Sequence, residues 1–231
     1  MADGLFETLD YLREIGFTEL DASCVAKASG PRSATDGMDE SFRERRAVLE
    51  ALAASAVGCD KCGLAAKRKS VVFGSGNPDA DLMFVGEGPG AEEDRQGLPF
   101  VGPAGALLTK IIEAIGLERE DVYIANIVKC RPPGNRDPSP EEASACREYL
   151  EGQIDLVKPR VLVALGRVAA QNLLGLDRPL GRMRGAWYEV RGVPTRATYH
   201  PAALLRNTGF KRPTWEDMQV VRDRLQQPTD C

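Results

Sequence analysis

Cys59 and Cys62 stand as a C-x-x-C pair, and Cys130 and Cys146 follow far downstream with fifteen residues between them. A pair at that spacing in a tight turn can aim both thiolates at one centre, and two further cysteines can close a tetrahedral set. The downstream pair lacks the short spacing of a zinc ribbon. Spacing therefore admits zinc, an iron-sulfur cluster, or buried thiols with no ligand role. Cys24 lies in a loop-like stretch and Cys231 is the last residue. Both read as free thiols.

The run Gly86-Glu87-Gly88-Pro89-Gly90 could cradle an anion, because glycines let backbone amides turn inward. It lacks the Gly-Lys-Ser/Thr ending of a triphosphate loop and the full G-x-G-x-x-G dinucleotide pattern. Glu87 would repel a bound phosphate but suits activation of water or stabilisation of a cation. The loop thus points to hydrolysis rather than nucleotide binding.

His200 is the only histidine. It precedes Pro201 and opens Ala202-Ala203-Leu204-Leu205-Arg206-Asn207, where apolar residues beside an arginine could wedge into a base stack. The alternatives are a hydrogen bond at a strand end for His200 and a core position for the leucine pair.

These residues need elements to hold them. Short apolar runs bounded by turn signals predict buried strands over Leu82–Val85, Val122–Ile127, Val161–Leu165 and Thr195–Tyr199. Helical spacing predicts helices over 104–115, 140–157 and 167–174, with Ser139 as N-cap and Glu142 three residues on. Such alternation specifies an α/β fold, a central four-stranded parallel sheet flanked by helices. Residues 187–190 and 193–199 around Arg191-Gly192 read as a hairpin feeding the last strand. In open sheets of this class ligands bind beyond the carboxyl ends of the strands, where the glycine-rich loop, Asn126 and His200 would converge.

Towards the N-terminus, Leu5, Leu9 and Leu12 predict a short amphipathic helix over 5–15, residues 22–39 read as a loop, and a helical pattern resumes over 40–57. A division follows into an N-terminal extension and linker, 1–56, and a catalytic domain, 57–231. No targeting segment or long apolar run is evident, so a soluble, cytoplasmic protein without membrane attachment is expected.

The net charge of -4 conceals an asymmetry. Residues 160–212 hold nine arginines and one lysine against two acids, a balance of +8, whereas residues 1–57 sum to -5. A basic C-terminal third could follow a phosphate backbone; a solvated arginine-rich face is the alternative.

Four segments in order, GEGPGAEED (86–94), LPFVGPAG (98–105), NIVKCRPPGNR (126–136) and HPAALLRN (200–207), resemble the motifs of family 4 of the uracil-DNA glycosylases, the iron-sulfur branch. The resemblance covers about residues 57–226. It implies the three-layer fold of that family and a monomeric enzyme that flips uracil out of single- or double-stranded DNA and hydrolyses its N-glycosidic bond. It implies a [4Fe-4S] cluster on Cys59, Cys62, Cys130 and Cys146. Gly86 and Gly88 would shape the base site, Phe100 would stack on the flipped base, and Asn126 would read the uracil edge. His200 would donate to O2 as negative charge develops, and Glu87 would handle water or the sugar cation, with Glu93 and Asp94 as rivals. Leu204, Leu205 and Arg206 would fill the gap left in the DNA. Two other readings compete: a non-catalytic iron-sulfur DNA-binding module, and a zinc-dependent nucleotide hydrolase.

Overall fold

In the computed structural model the described residues are 40–228. The helix expected over 5–15, the loop over 22–39, Cys24 and Cys231 lie outside them. The chain enters through α1 (Glu40–Val57), which buries Leu49 and Ala56. It then passes through β1 (Ser75–Gly76), β2 (Leu82–Gly86), α2 (Ala91–Gln96), α3 (Pro103–Ala114), β3 (Tyr123–Asn126) and α4 (Pro140–Val157). Next come β4 (Val161–Leu165), α5 (Arg167–Leu174), α6 (Leu180–Met183), β5 (Trp187–Val190), β6 (Val193–Thr198), α7 (Pro201–Arg206) and α8 (Lys211–Gln226).

The sheet order is β1-β3-β2-β4-β6-β5. Its inner four strands are parallel, as the alternating pattern requires, and an antiparallel strand is added at each edge. The expected four-stranded parallel sheet is therefore the centre of a mixed six-stranded one. At one edge β5 and β6 form the hairpin around Arg191 and Gly192, whose φ values of 51° and 78° suit a tight two-residue turn. At the other, β1 is only two residues long, too short for any hydrophobic period to announce it.

β2 and β4 are buried on both faces, and alternate side chains feed two cores. Met83, Val85, Leu162 and Ala164 pack with α1, α4 and α5; Leu82, Phe84, Val161 and Val163 pack with α3, α7 and α8. Helices on both faces make three layers. Helix α4 begins as its sequence demands: Ser139 accepts from the Glu142 N–H, Glu142 returns the bond, and Pro140 fills the first turn. No helix among the described residues is long and apolar enough to cross a membrane.

Candidate active site

The register places the carboxyl ends of the parallel strands on one rim, with Gly86 opposite Asn126 and Leu165 opposite Thr198. The loops leaving β2 and β3 stay joined beyond the sheet, since Ile127 N–H donates to Gly86 O and Val128 N–H to Glu87 O. A cavity of about 520 Å³ opens above this rim, lined by Glu87, Gly88, Phe100, Asn126, Tyr199, His200 and Arg206 among others. Its volume suits a small ligand. The sequence-expected residues on β2, β3, the loop before α3 and the start of α7 are thus brought together.

Phe100 is held in a left-handed backbone conformation, φ 51°, unusual for a bulky residue. Glu93 accounts for it: its Oε1 accepts from the N–H groups of Val101 and Gly102, both at 2.9 Å. A Cβ at position 105 would lie 1.8 Å from the Phe100 carbonyl oxygen, and one at 86 within 2.7 Å of the Phe100 ring and the Asn126 amide. Glycine at 86 and 105 is therefore required by close approach. Gly88 likewise faces Val128, where a Cβ would come within 2.7 Å. Asp94 is buried and accepts from the Lys69 and Ser70 N–H groups. Glu93 and Asp94 are thus committed to backbone N–H groups, whereas the Glu87 carboxylate faces the cavity without such a bond among the described residues.

Glu87 is half-buried in the cavity wall, and its pKa is raised to about 7, chiefly by burial and then by the nearby Asp137 carboxylate, with Arg167 opposing. Asp137 and Arg167 form an ion pair at the cavity mouth. Asn126 is 1% exposed, and its Oδ1 has no hydrogen-bond partner. A buried acceptor left unmade costs about 1–3 kcal/mol, so its presence here calls for a visiting donor. His200 caps α7 through Nδ1, which accepts from Ala202 N–H at 3.1 Å. Nε2 must then carry the proton of the neutral ring. Burial first, and then the Arg206 charge, lowers the His200 pKa to about 4, so the ring is a neutral donor at pH 7. Below it Gly166 closes β4 at φ 93°, where a Cβ would sit 2.9 Å from the His200 Cβ.

Two expectations change. Leu204 is 1% exposed and belongs to the core beneath α7, so it cannot enter DNA; on so short a helix the adjacent Leu205, 53% exposed, and Arg206 face outward instead. The basic stretch is also quieter than its count. Arg160, Arg167, Arg184, Arg191, Arg196 and Arg212 are paired with carboxylates, all from outside the stretch. Arg178, Arg182 and Arg206 have no carboxylate partner among the described residues.

Sequence reasoning missed the support behind His200. Asp217 on α8 is 2% exposed and accepts from Thr198 Oγ1 at 2.7 Å and Arg184 Nε at 2.7 Å. The Arg184 guanidinium lies 4.6 Å from the Tyr199 ring, whose other neighbour is the stacked ring of Phe210. One signal was available: Asp217 sits within the buried stripe Thr214, Asp217, Met218 and Val221, an acid where the helix period asks for an apolar residue.

Away from the cavity, Cys59, Cys62, Cys130 and Cys146 line a second, small cavity with Arg68, Lys129 and Tyr149. All four are free of disulfides. Burial raises the thiol pKa of Cys130 and lifts that of Cys146 to about 11. Arg68 NH1 at 3.5 Å from the Cys130 sulfur and Lys129 N–H at 3.3 Å from the Cys146 sulfur are donors to those atoms.

Residues 73–219 match the family model described as the uracil DNA glycosylase superfamily, which defines the class of this fold and site. Among curated relatives, the type-4 uracil-DNA glycosylase of Archaeoglobus fulgidus is 44% identical over 191 residues, 78% of this chain and 96% of that protein. The type-4 enzyme of Thermotoga maritima is 43% identical over 182 residues, 77% and 95% of the two chains. A type-5 uracil-DNA glycosylase of Thermus thermophilus is 36% identical over 158 residues, 60% and 72%. The chain belongs to the type-4 uracil-DNA glycosylase family.

Proposed function

We propose that the protein is a uracil-DNA glycosylase of base-excision repair, taking uracil flipped out of DNA into the cavity above the sheet and hydrolysing its bond to deoxyribose. The observation that carries the reading is the unpartnered Asn126 Oδ1, buried in a cavity that also presents the Phe100 ring and the neutral His200. Uracil offers N3–H to that oxygen and O4 to the amide nitrogen. Cytosine reverses the pattern and would leave buried groups unpaired.

In the reaction we infer, Phe100 stacks on the base. The C1′–N1 bond breaks with its electron pair leaving on uracil, and the sugar becomes cation-like. His200 Nε2–H donates to O2, where charge grows towards the transition state, so its hydrogen bond strengthens as the bond breaks. Glu87, as carboxylate, faces the sugar cation and takes the proton of the water whose oxygen bonds to C1′. Leu205 and Arg206 enter the space the base has left, offsetting an unstacking cost of a few kcal/mol.

Cys59, Cys62, Cys130 and Cys146 fit a [4Fe-4S] cluster. Four thiols, with no histidine, aspartate or glutamate beside them, line the small cavity, and Arg68 and the Lys129 N–H donate to two of the sulfurs, as suits thiolates that hold a cluster. When bound, the cluster would crosslink the segment after α1, the loop after β3 and α4. We assign residues 57–231 to the glycosylase domain and 1–56 to an extension, in a cytoplasmic monomer acting on single- or double-stranded DNA.

The test is base release from a uracil-containing oligonucleotide beside an identical cytosine one, with wild type and Asn126→Asp. Uracil-specific release that the substitution abolishes supports the enzyme. A protein with iron and sulfide intact that binds DNA and releases nothing would instead be a non-catalytic module.

A further inference from the structure

Lys129 is 1% exposed, an uncommon place for a lysine, and no carboxylate pairs with it among the described residues. Its Nζ donates to the Asn126 carbonyl at 2.8 Å and to Gln153 Oε1 at 2.6 Å, and lies 5.8 Å from the centre of the Phe73 ring. Gln153 is 0% exposed and is itself fixed, donating to Phe73 O at 2.9 Å and to Tyr123 OH at 3.2 Å. A Cβ at Gly74 would come 2.8 Å from the Gln153 amide nitrogen, so the fold keeps space for this network. Burying an amine is costly unless its hydrogen bonds are made, and an apolar side chain would fill the volume without that demand.

What the amine holds is informative. The pairing of β1 with β3 ends at Ile124, two residues short of Asn126. The Asn126 carbonyl is instead taken by Lys129 from below, while its side-chain Oδ1 is the unpartnered acceptor in the cavity. The same lysine donates its main-chain N–H to the Cys146 sulfur, and its carbonyl accepts from Val72 N–H.

We propose that Lys129 is a positioning residue for base recognition: its side chain holds the main chain of Asn126 so that Oδ1 keeps its aim, and its own main chain ties that anchor to the cysteine centre. The proposal rests on the glycosylase reading, in which Asn126 meets the base. A misplacement of about 1 Å in such a contact slows a reaction about a hundredfold. Lys129→Met removes the amine and leaves the main-chain bond to Cys146, so iron per chain stays at the wild-type value.

The experiment is a double-mutant cycle on single-turnover uracil release with iron content measured alongside. Lys129→Met slows release about 10- to 100-fold in the wild-type background, and by less than about twofold once Asn126 is already alanine. Equal losses in both backgrounds, or no loss in the first, overturn the proposal. Gln153→Met, which loosens the amine from its second partner, enters the same cycle if Lys129→Met does not fold. A wild type that releases no uracil would refute the glycosylase reading instead. The geometric part is then decided by a crystal structure of the variant. An Asn126 side chain displaced by about 1 Å or split between rotamers supports the clamp, and an unmoved one overturns it.

Discussion

Phe100 and His200 face each other across the cavity with ring centroids 5.5 Å apart and planes inclined by 31°. A flat base sandwiched between two rings needs about 7–8 Å between them, twice the optimal carbon-carbon contact. On the proposed reading, a base that stacks on Phe100 would therefore present its edge, not its face, to His200. With Nδ1 already accepting from Ala202 N–H, only Nε2 remains for that edge.

His200→Ala is expected to lower single-turnover uracil release by about two to three decades, the usual loss on removing one donor to developing charge. In a Glu87→Gln background, which removes the other titration, release should hold constant down to pH 5 and fall through about pH 4 as the ring gains a proton and loses its cap to Ala202. The depressed folded pKa also has a sign for stability. The unfolded chain takes up this proton first, so the contribution is present above about pH 6.5 and is lost as pH falls towards 4. Rate-pH profiles and urea unfolding check the two statements.

Release by the wild type should rise through about pH 7, where Glu87 gives up its proton. Glu87→Gln removes that inflection and slows release about a hundredfold at pH 8. Asp137→Asn moves the inflection to lower pH, because a like charge is taken away while Arg167 remains. A raised folded pKa means the native state keeps this proton longer than the unfolded chain. Its contribution to stability is therefore fully present below about 4.5 and declines as pH rises to 7.

Glu93→Ala should act through Phe100 rather than on the water. Two backbone donors lose their acceptor, at a cost of about 1–3 kcal/mol in stability, and the left-handed turn at Phe100 loosens. The expected kinetic pattern is a raised KM for uracil-containing DNA with the pH 7 inflection intact. Disappearance of that inflection would reassign the proton to Glu93.

Leu204 and Leu205 are neighbours with opposite expected phenotypes. Leu204→Ala leaves a void in the core and should cost about 2–5 kcal/mol. Leu205→Ala should leave the unfolding midpoint within error and slow release from duplex DNA more than from single strands, since only a duplex must be kept open.

Cys146→Ser should remove most of the iron and lower the melting temperature, because the buried sulfur is replaced by a poorer ligand. Iron, sulfide and the visible absorption of the purified protein report the first effect, and calorimetry the second.

Much of this was legible in the sequence, for identifiable reasons. The strands at 82, 123 and 161 are continuous apolar runs because parallel strands are buried on both faces, and α4 wrote its capping box plainly into Ser139 and Glu142. Glu87, Asn126 and His200 could be singled out because they stand where apolar runs end, whereas Phe100 lies in the loop between α2 and α3 and was marked only by the family resemblance. What stayed hidden depends on contacts between distant segments. The inward turn of Leu204, the commitment of Glu93 to the Phe100 loop, and the neutralisation of six arginines have no local pattern, and β1 is too short to have one.

Strand order also acts as a calliper. Asn126 and His200 are anchored on β3 and just beyond β6, three inter-strand steps apart, or about 14 Å of hydrogen-bonded backbone. Between them β2 ends in Gly86 and β4 runs straight into Gly166, and both glycines abut the site's own side chains. The jaw is thus fixed by peptide geometry and cleared by the absence of side chains. Exchanging residues at the two tips would alter which edge is read, but fitting a wider ring would require respacing the sheet itself.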